Sequence, residues 1–129
     1  MCGLFLIVSN QALPEKALNQ SLNLLSRRGP DHQAIVHHKF QNKFLYFGHT
    51  RLAILDLSQN ANQPFENNKY ILVYNGEIYN HKTLRLKFCD NYRFLTTSDT
   101  ETIIALFSLH SPDVFMDDIR GMFSFVLYD

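Results

Sequence analysis

The chain has 129 residues, of which 46% are hydrophobic, and its 12 Lys and Arg residues balance its 12 Asp and Glu residues. This size and apolar content fit one domain with its own core. The balanced charge argues against the basic surface that binds nucleic acid or anionic membranes. No segment reaches the roughly 20 apolar residues of a membrane span, and the N-terminal apolar run lacks a signal peptide's basic flank. We therefore expect a cytoplasmic protein that binds neither nucleic acid nor membrane.

The N-terminal segment MCGLFLIV predicts a buried strand over residues 3–8, which the turn-type residues Ser9 and Asn10 close. Cys2 then lies at the mouth of a strand that ties down the chain end. The only other cysteine is Cys89, so a disulfide scaffold is excluded. In a reducing compartment both side chains should be thiols, and a Cys2–Cys89 disulfide is not expected.

The next elements are a helix and two extended stretches. Apolar residues recur at helical spacing from Leu13 to Leu25 and Gly29-Pro30 ends the pattern, which predicts a helix over 14–27. Residues 34–38 and 43–48 are extended stretches around a turn at 41–42. The segment RLAIL at 51–55 suggests another strand edge, and 58–68 a loop.

The dipeptide Asn75-Gly76 lies between two β-rich runs and predicts a tight hairpin, because both residue types tolerate positive φ. A weaker helix is expected over 81–88. The sequence SDTETIIALF predicts a helix in which Ser98 is the N-cap and Glu101 its capping-box partner, followed by an amphipathic face. A short helical segment over 112–119 precedes a last hydrophobic strand, MFSFVLYD. Strands and helices therefore mix in layered α and β structure.

Cys2 has a chemical use when Met1 is removed, because its thiol and a free α-amine then belong to one residue. An α-amine has a pKa of about 7.7 to 8.0 and can act as a base at neutral pH. Nucleophile and base in one residue is the arrangement of N-terminal threonine enzymes. The alternative is that Cys2 is only a small buried residue beginning a strand. Position alone leaves both interpretations open.

Breaking an amide also needs donors to the developing oxyanion and groups that bind the substrate. The Asn75 amide and the unobstructed N–H of Gly76 are candidate donors, although an Asn-Gly pair is more often simply a turn. Arg51 offers a planar fork for a carboxylate. Asp99 or Glu77 could bind an ammonium group; the alternative for Asp99 is stabilisation of its helix dipole.

Six motifs, taken in order, carry a resemblance that covers essentially the whole chain. The chain resembles the glutaminase domain of class II glutamine amidotransferases, of the asparagine synthetase type. The motifs are MCG at the start, RRGPD at 27–31, HTRLAILD at 49–56, NGEIYN at 75–80, SDTE at 98–101 and GMFSFVLYD at 121–129.

The resemblance implies an α+β fold of the N-terminal-nucleophile hydrolase type, with two facing antiparallel sheets in a four-layer αββα arrangement. It implies that Cys2 attacks the side-chain amide of L-glutamine, that ammonia leaves, and that water hydrolyses the thioester. Asn75 and Gly76 would form the oxyanion hole. The substrate-binding residues that it implies are Arg51 for the α-carboxylate, Glu77 and Asp99 for the α-amine, and Asn75 with backbone atoms near Leu52 and Ile54.

The resemblance implies no cofactor or metal for glutamine hydrolysis, while ATP and magnesium would belong to a synthetase domain. Family glutaminase domains continue beyond the GMFSFVLYD strand into further strands and then that domain. We therefore expect residues 1–129 to be a glutaminase domain that is incomplete at its C-terminus, with a missing synthetase domain or partner subunit that uses the ammonia. The last sheet should then expose a hydrophobic edge, which predicts a homodimer, domain swapping or poor stability.

Two other functions stay open at this point. The chain could be a non-catalytic amidotransferase fragment that acts as a binding or interaction module. A metal site built from Cys2, His32, His37 and His38 is weaker, because adjacent residues of a strand point to opposite faces. The ammonia acceptor is not identified by the sequence.

Overall fold

Two three-stranded antiparallel sheets form the centre of the computed structural model, which describes residues 1–129. Helices cover the outer side of each sheet, so the fold is α+β as the sequence predicts. The elements are β1 (Gly3–Ser9), α1 (Glu15–Leu25), β2 (His32–Phe40), β3 (Lys43–Arg51), β4 (Phe65–Glu66), β5 (Ile71–Ile78), α2 (His81–Phe88), α3 (Asp99–Leu109), α4 (Pro112–Phe115) and β6 (Gly121–Tyr128), with 3₁₀ turns at Gln59–Ala61 and Met116–Asp118.

The first sheet has the strand order β1-β3-β2, with β3 in the centre. The predicted turn between β2 and β3 is confirmed, and Gln41 in that turn has a positive φ of 52°. Both strands are longer than predicted, because β3 pairs with β1 and β2 as far as Thr50 and Arg51. The strand edge predicted over 51–55 is wrong beyond Arg51, since the Ala53 N–H donates to the Asp31 side chain instead of to a strand.

The second sheet has the strand order β4-β5-β6 and contains the most informative difference from the sequence prediction. The hairpin predicted at Asn75-Gly76 is wrong, because β5 runs through both residues without a turn. β6 pairs with β5 in one register, from Ile71 opposite Tyr128 to Ile78 opposite Gly121. Gly76 therefore adopts its positive φ within a strand and not in a turn. β6 forms the outer edge of this sheet.

The side chains of β5 alternate between two hydrophobic cores. Ile71 and Val73 pack against Leu45 and Phe47 of β3, which joins the two sheets face to face. The other face of β5 packs against α2 and α3 in the larger core. Helix α1 covers the outside of the first sheet. The order is therefore helix, sheet, sheet, helices, and the predicted four-layer αββα arrangement is confirmed.

The predicted helices all form, with differences at their ends and faces. Helix α1 ends at Leu25, two residues before the predicted end, and the Leu25 carbonyl accepts a bond from Thr50 Oγ1 at 3.1 Å. Ser98 caps α3 by accepting from the Thr100 N–H. The reciprocal capping-box bond is absent, because the Glu101 carboxylate accepts from the backbone before Ser98. The amphipathic prediction for α3 is wrong, since the residues from Asp99 to Leu106 are all buried.

None of these helices combines the length and the apolar character that crossing a membrane requires.

Candidate active site

A cavity of about 190 Å³ lies where the start of β1, the loop after β3, the middle of β5 and the start of α3 meet. Its volume is below the ~300 to 1,000 Å³ of pockets for drug-sized ligands and suits a smaller molecule. The predicted site residues come from four separate parts of the chain, and the fold brings all of them to this one cavity. They are Cys2, Arg51, Leu52, Ile54, Asn75, Gly76, Glu77 and Asp99.

Cys2 is held in place by contacts to its half-buried side chain and to the backbone of Cys2 and Gly3. The Leu52 N–H points at the Cys2 sulfur, with 3.4 Å between N and Sγ, and Sγ lies 3.8 Å from the Leu52 carbonyl oxygen. The Arg28 Nε donates to the Cys2 carbonyl at 2.9 Å, and the Gly3 N–H donates to Thr50 Oγ1 at 3.1 Å. The thiol therefore has a defined position at the cavity wall.

The RRGPD segment positions the loop that carries Leu52, a role that reasoning from single residues missed. A Cβ at Gly29 would overlap the backbone of Thr50 and Arg51, so only glycine permits this approach. Asp31 then accepts from the Ala53 N–H at 2.7 Å and donates its own N–H to the Arg51 carbonyl at 3.0 Å. The motif fixes the end of β3 and hence the backbone that faces the sulfur.

Gly76 is required by its conformation and by its neighbours. Its φ of +146° lies in a region that residues with a side chain rarely adopt, and a Cβ there would overlap the Met122 carbonyl. Asn75 precedes it with its Oδ1 buried and unpaired, while its amide nitrogen makes no hydrogen bond within the protein. A side-chain donor is therefore free at this point of the cavity wall.

The backbone of β5 supplies a second free donor. Tyr74 and Ile78 both point their N–H groups away from β6, to Gln63 Oε1 at 2.7 Å and Asp99 Oδ2 at 2.9 Å. The Tyr79 N–H points the other way and donates to a carbonyl beside β6. Because hydrogen bonding alternates along an antiparallel strand, the Gly76 N–H faces the same open edge as those of Tyr74 and Ile78.

Arg51 is a buried cation that neutral groups surround, with 6% of its surface exposed. Nη1 donates to the Ser58 carbonyl at 2.9 Å and to Asn62 Oδ1 at 2.7 Å. Nη2 donates to the carbonyls of Leu55 and Asp56. All four Nη hydrogens therefore bind the loop after β3, and the prediction that this fork grips a substrate carboxylate with two hydrogen bonds is wrong in this structure. No acid neutralises its charge, which leaves the cavity wall attractive to an anion.

The two acids of the cavity differ in their surroundings. Asp99 is 4% exposed, and its Oδ2 accepts from the Tyr74 hydroxyl at 2.6 Å and from the Ile78 N–H. Its Oδ1 accepts no hydrogen bond from the protein, so one oxygen is left for a ligand. Glu77 is exposed at the cavity and forms no salt bridge. One cation and two carboxylates therefore line a cavity suited to a zwitterion.

The buried residue His49 supports the site by binding the backbone of β5. The site prediction did not include it. Its Nε2 donates to the Tyr74 carbonyl at 3.0 Å, which links β3 to β5. Burial lowers the pKa of His49 from 6.5 to about 4, so that the ring is neutral at neutral pH. Burial also raises the pKa of Tyr74, with the hydrogen bond to Asp99 adding to the effect. The HTRLAILD motif contains His49 and was the available signal.

The alternative metal site is not assembled. No group of three or more His, Cys, Asp or Glu side chains lies in an arrangement that could hold a metal ion. Cys2 and Cys89 are both free thiols.

The fold brings the Cys2 thiol, two free hydrogen-bond donors, one cation and two carboxylates to one cavity. The chain belongs to the glutamine amidotransferase domain family, whose sequence profile matches residues 1–129. It is 40% identical to the glutamine-hydrolysing asparagine synthetase B of Escherichia coli over the whole chain and 23% of that protein. A glutamine-hydrolysing asparagine synthetase of Brassica oleracea is also 40% identical over the whole chain, which covers 22% of it.

A third relative, the amidase chyE of Penicillium rubens, is 40% identical over 87% of the chain and 16% of its own length. The chain therefore spans less than a quarter of the length of these three relatives. These matches confirm the family resemblance seen in the sequence.

Proposed function

We propose that this chain hydrolyses L-glutamine to L-glutamate and ammonia, with Cys2 as an N-terminal nucleophile. The observation that carries the proposal is that a thiol, two free oxyanion donors, an uncompensated cation and two carboxylates line one cavity. The names of the asparagine synthetase relatives describe glutamine hydrolysis, and 40% identity over the whole chain supports carrying that reaction over. The active form begins at Cys2, so removal of Met1 is part of the proposal.

In the first step the α-amine of Cys2 accepts the thiol proton, and Sγ attacks the side-chain amide carbon of glutamine. The C=O electron pair moves onto oxygen. The Asn75 amide and the Gly76 N–H donate to this oxyanion, whose charge exists only in the transition state and the intermediate. Donors on a strand between two cores keep their direction, which favours the charged species over the neutral amide.

The intermediate then collapses as the C–N bond breaks. The leaving nitrogen takes the proton from the Cys2 ammonium and departs as ammonia, which leaves a γ-glutamyl thioester on Sγ. A water molecule gives a proton to the α-amine and attacks the thioester through the same oxyanion hole. The C–S bond breaks, the thiol regains its proton from the α-ammonium, and the new γ-carboxyl group loses its remaining proton to solvent as glutamate is released. Atoms and protons balance without a redox partner, and we propose that no cofactor takes part.

Substrate binding uses the charges of the cavity. Arg51 attracts the α-carboxylate, because its four hydrogen-bond partners are neutral oxygens that leave its charge uncompensated. The α-ammonium binds Asp99 Oδ1, with Glu77 at the mouth as a second acid. Backbone atoms near Leu52 and Ile54 complete the wall beside the sulfur. Glutamine then lies with its amide at Cys2.

The surroundings of the reaction belong to the same proposal. The ammonia serves an asparagine-synthetase-type acceptor reaction in a synthetase domain or partner subunit, where ATP and magnesium would act. The prediction that residues 1–129 are an incomplete glutaminase domain, the cytoplasmic location and a homodimer through the β6 edge all stay predictions. Size measurement at several protein concentrations would test the homodimer.

The deciding experiment measures ammonia release from L-glutamine by protein whose N-terminus is verified as Cys2 by intact mass. Cys2→Ala should reduce turnover by on the order of 10⁴-fold or more. Cys89→Ala is the matched control, because Cys89 is a free thiol buried in the helix-side core, and it should keep its turnover. Turnover that survives Cys2→Ala contradicts the proposal. Glutamine binding without turnover in the verified protein would instead indicate a binding module.

A further inference from the structure

Tyr74 is fixed at each of its polar groups. Its N–H donates to Gln63 Oε1 at 2.7 Å, its carbonyl accepts from His49 Nε2 at 3.0 Å, and its hydroxyl donates to Asp99 Oδ2 at 2.6 Å. Only 2% of the residue is exposed. The ring therefore has no freedom to turn away from Asp99, and the hydroxyl holds that carboxylate at a set place.

The hydroxyl also determines which oxygen of Asp99 faces a ligand. Tyr74 and the Ile78 N–H both bind Oδ2, so that Oδ1 is the oxygen without a protein partner. A hydroxyl that donates to a carboxylate makes a short, charge-assisted bond, which favours one orientation of the carboxyl group. Without it, Asp99 would keep one donor on Oδ2 and could rotate.

We infer that Tyr74 is a positioning residue that determines specificity: through Asp99, it makes the site select amides that carry an α-ammonium group. This inference rests on the proposed function. An ammonium donates to Asp99 Oδ1, whereas an amide substrate without that group leaves a buried carboxylate oxygen unpaired. Selectivity is highest when Asp99 is held still, because a mobile carboxylate can turn its unpaired oxygen toward water.

The alternative role for Tyr74 is to hold the strand that carries Asn75 and Gly76. The two roles predict different kinetics. A residue that only holds the strand affects the oxyanion donors, so its loss lowers kcat for every amide substrate alike. A residue that orients Asp99 affects only substrates with an ammonium group.

The test compares kcat/KM for L-glutamine and for glutaramate, which is glutamine without its α-amino group, using protein that begins at Cys2. Tyr74→Phe removes only the hydroxyl. We expect kcat/KM for L-glutamine to fall about ten-fold, the usual scale for a hydrogen bond to a charged group, with little change for glutaramate.

Tyr70→Phe is the matched control. Tyr70 is also 2% exposed, and its hydroxyl donates to the Phe107 carbonyl at 2.8 Å, away from the cavity. Each variant loses one hydrogen bond of a buried hydroxyl group, so the Tm measured by thermal unfolding should be lower for both. Only Tyr74→Phe should reduce the preference for L-glutamine over glutaramate. Equal losses on both substrates, or an unchanged preference, would overturn the inference while leaving the proposed function intact.

A second measurement covers the case in which Tyr74→Phe does not fold. In the inert Cys2→Ala protein, the hydroxyl proton of Tyr74 can be followed by NMR through its ring protons. L-glutamine should shift the hydroxyl proton resonance of Tyr74, and glutaramate should not. A shift with both compounds, or with neither, would contradict the inference. Failure of the proposed function has a separate signature, which is turnover that survives Cys2→Ala.

Discussion

β3 and β5 are the central strands of the two sheets, but only β3 is paired along both of its edges. β1 and β2 accompany β3 from Phe44 to Thr50 and from Lys43 to Arg51. β6 accompanies β5 throughout, whereas β4 reaches only Ile71 and Leu72 on the other side. Past Leu72 that edge of β5 has no strand beside it.

The open edge of β5 is where the candidate active site lies. Side chains of Gln63 and Asp99 accept from the N–H groups of Tyr74 and Ile78, and the Gly76 N–H between them stays free. A fully paired strand uses its backbone donors in the sheet and serves as a rigid support. The comparison teaches that incomplete pairing leaves backbone donors for chemistry.

The largest expected effect comes from changing the backbone of the open edge. Gly76→Ala places a Cβ against the Met122 carbonyl in a strained region of φ, and we expect it to lower the free energy of unfolding by about 4 kcal/mol. Urea unfolding measures this loss. Met122→Ala is the control, because its side chain is 71% exposed and should change stability by less than about 0.5 kcal/mol. A Gly76→Ala protein of normal stability would contradict the strained conformation.

Removing the side-chain donor of the same edge should affect catalysis more than stability. Asn75→Ala should lower kcat by about 10² to 10³-fold with a smaller change in KM, because an oxyanion donor acts mainly in the transition state. Steady-state kinetics give the two constants. In the control Asn80→Ala, the lost side-chain bonds go to Asp118 and Arg120 outside the cavity. Asn80→Ala should therefore lower Tm and leave kcat close to wild type.

His49 links β3 to β5, and the stability that it contributes should depend on pH. The folded pKa of His49 is lowered to about 4 from 6.5, so between these values the unfolded chain binds a proton that the folded chain does not. Stability should therefore be highest above pH 6.5 and fall by roughly 3 kcal/mol as pH drops to 4. Urea unfolding from pH 7 to pH 4 measures this slope, and His49→Gln should flatten it. An equal slope in His49→Gln would assign the effect to other groups.

The smallest effect concerns Asp56 in the loop after β3. The Ser58 side chain contributes most to lowering the pKa of Asp56 to about 2, and the bonds that its carboxylate accepts from the Thr97 N–H at 2.7 Å and the Ser58 N–H at 2.9 Å add to the effect. Asp56→Asn should lower the free energy of unfolding by about 1 kcal/mol at pH 7. It should also remove the loss of stability that wild type shows as pH falls from 3.8 to 2. Urea unfolding of wild type and Asp56→Asn at both pH values tests this. An equal loss of stability in the two proteins would show that Asp56 does not cause it.

Motifs in the sequence predict the site better than local patterns predict the strands. All the predicted site residues line one cavity, because the fold brings together the motifs that contain them. The Asn75-Gly76 hairpin failed because the true partner of β5 is β6, far along the chain, and a turn signal is purely local. Glu101 fits the spacing of a capping box, but the backbone N–H groups of Leu95 and Thr96 compete for its carboxylate. The binding of the Arg51 fork to the loop after β3 depends on a loop conformation that spacing does not encode.

The charge of Arg51 has a consequence for how the protein is handled. Four neutral oxygens solvate the guanidinium without cancelling it, and its surroundings are nearly closed to water. We therefore expect small organic acids from a buffer to bind in the cavity beside Arg51. Under the proposed function, acetate or formate would compete with L-glutamine, and the choice of buffer salt would change the apparent affinity.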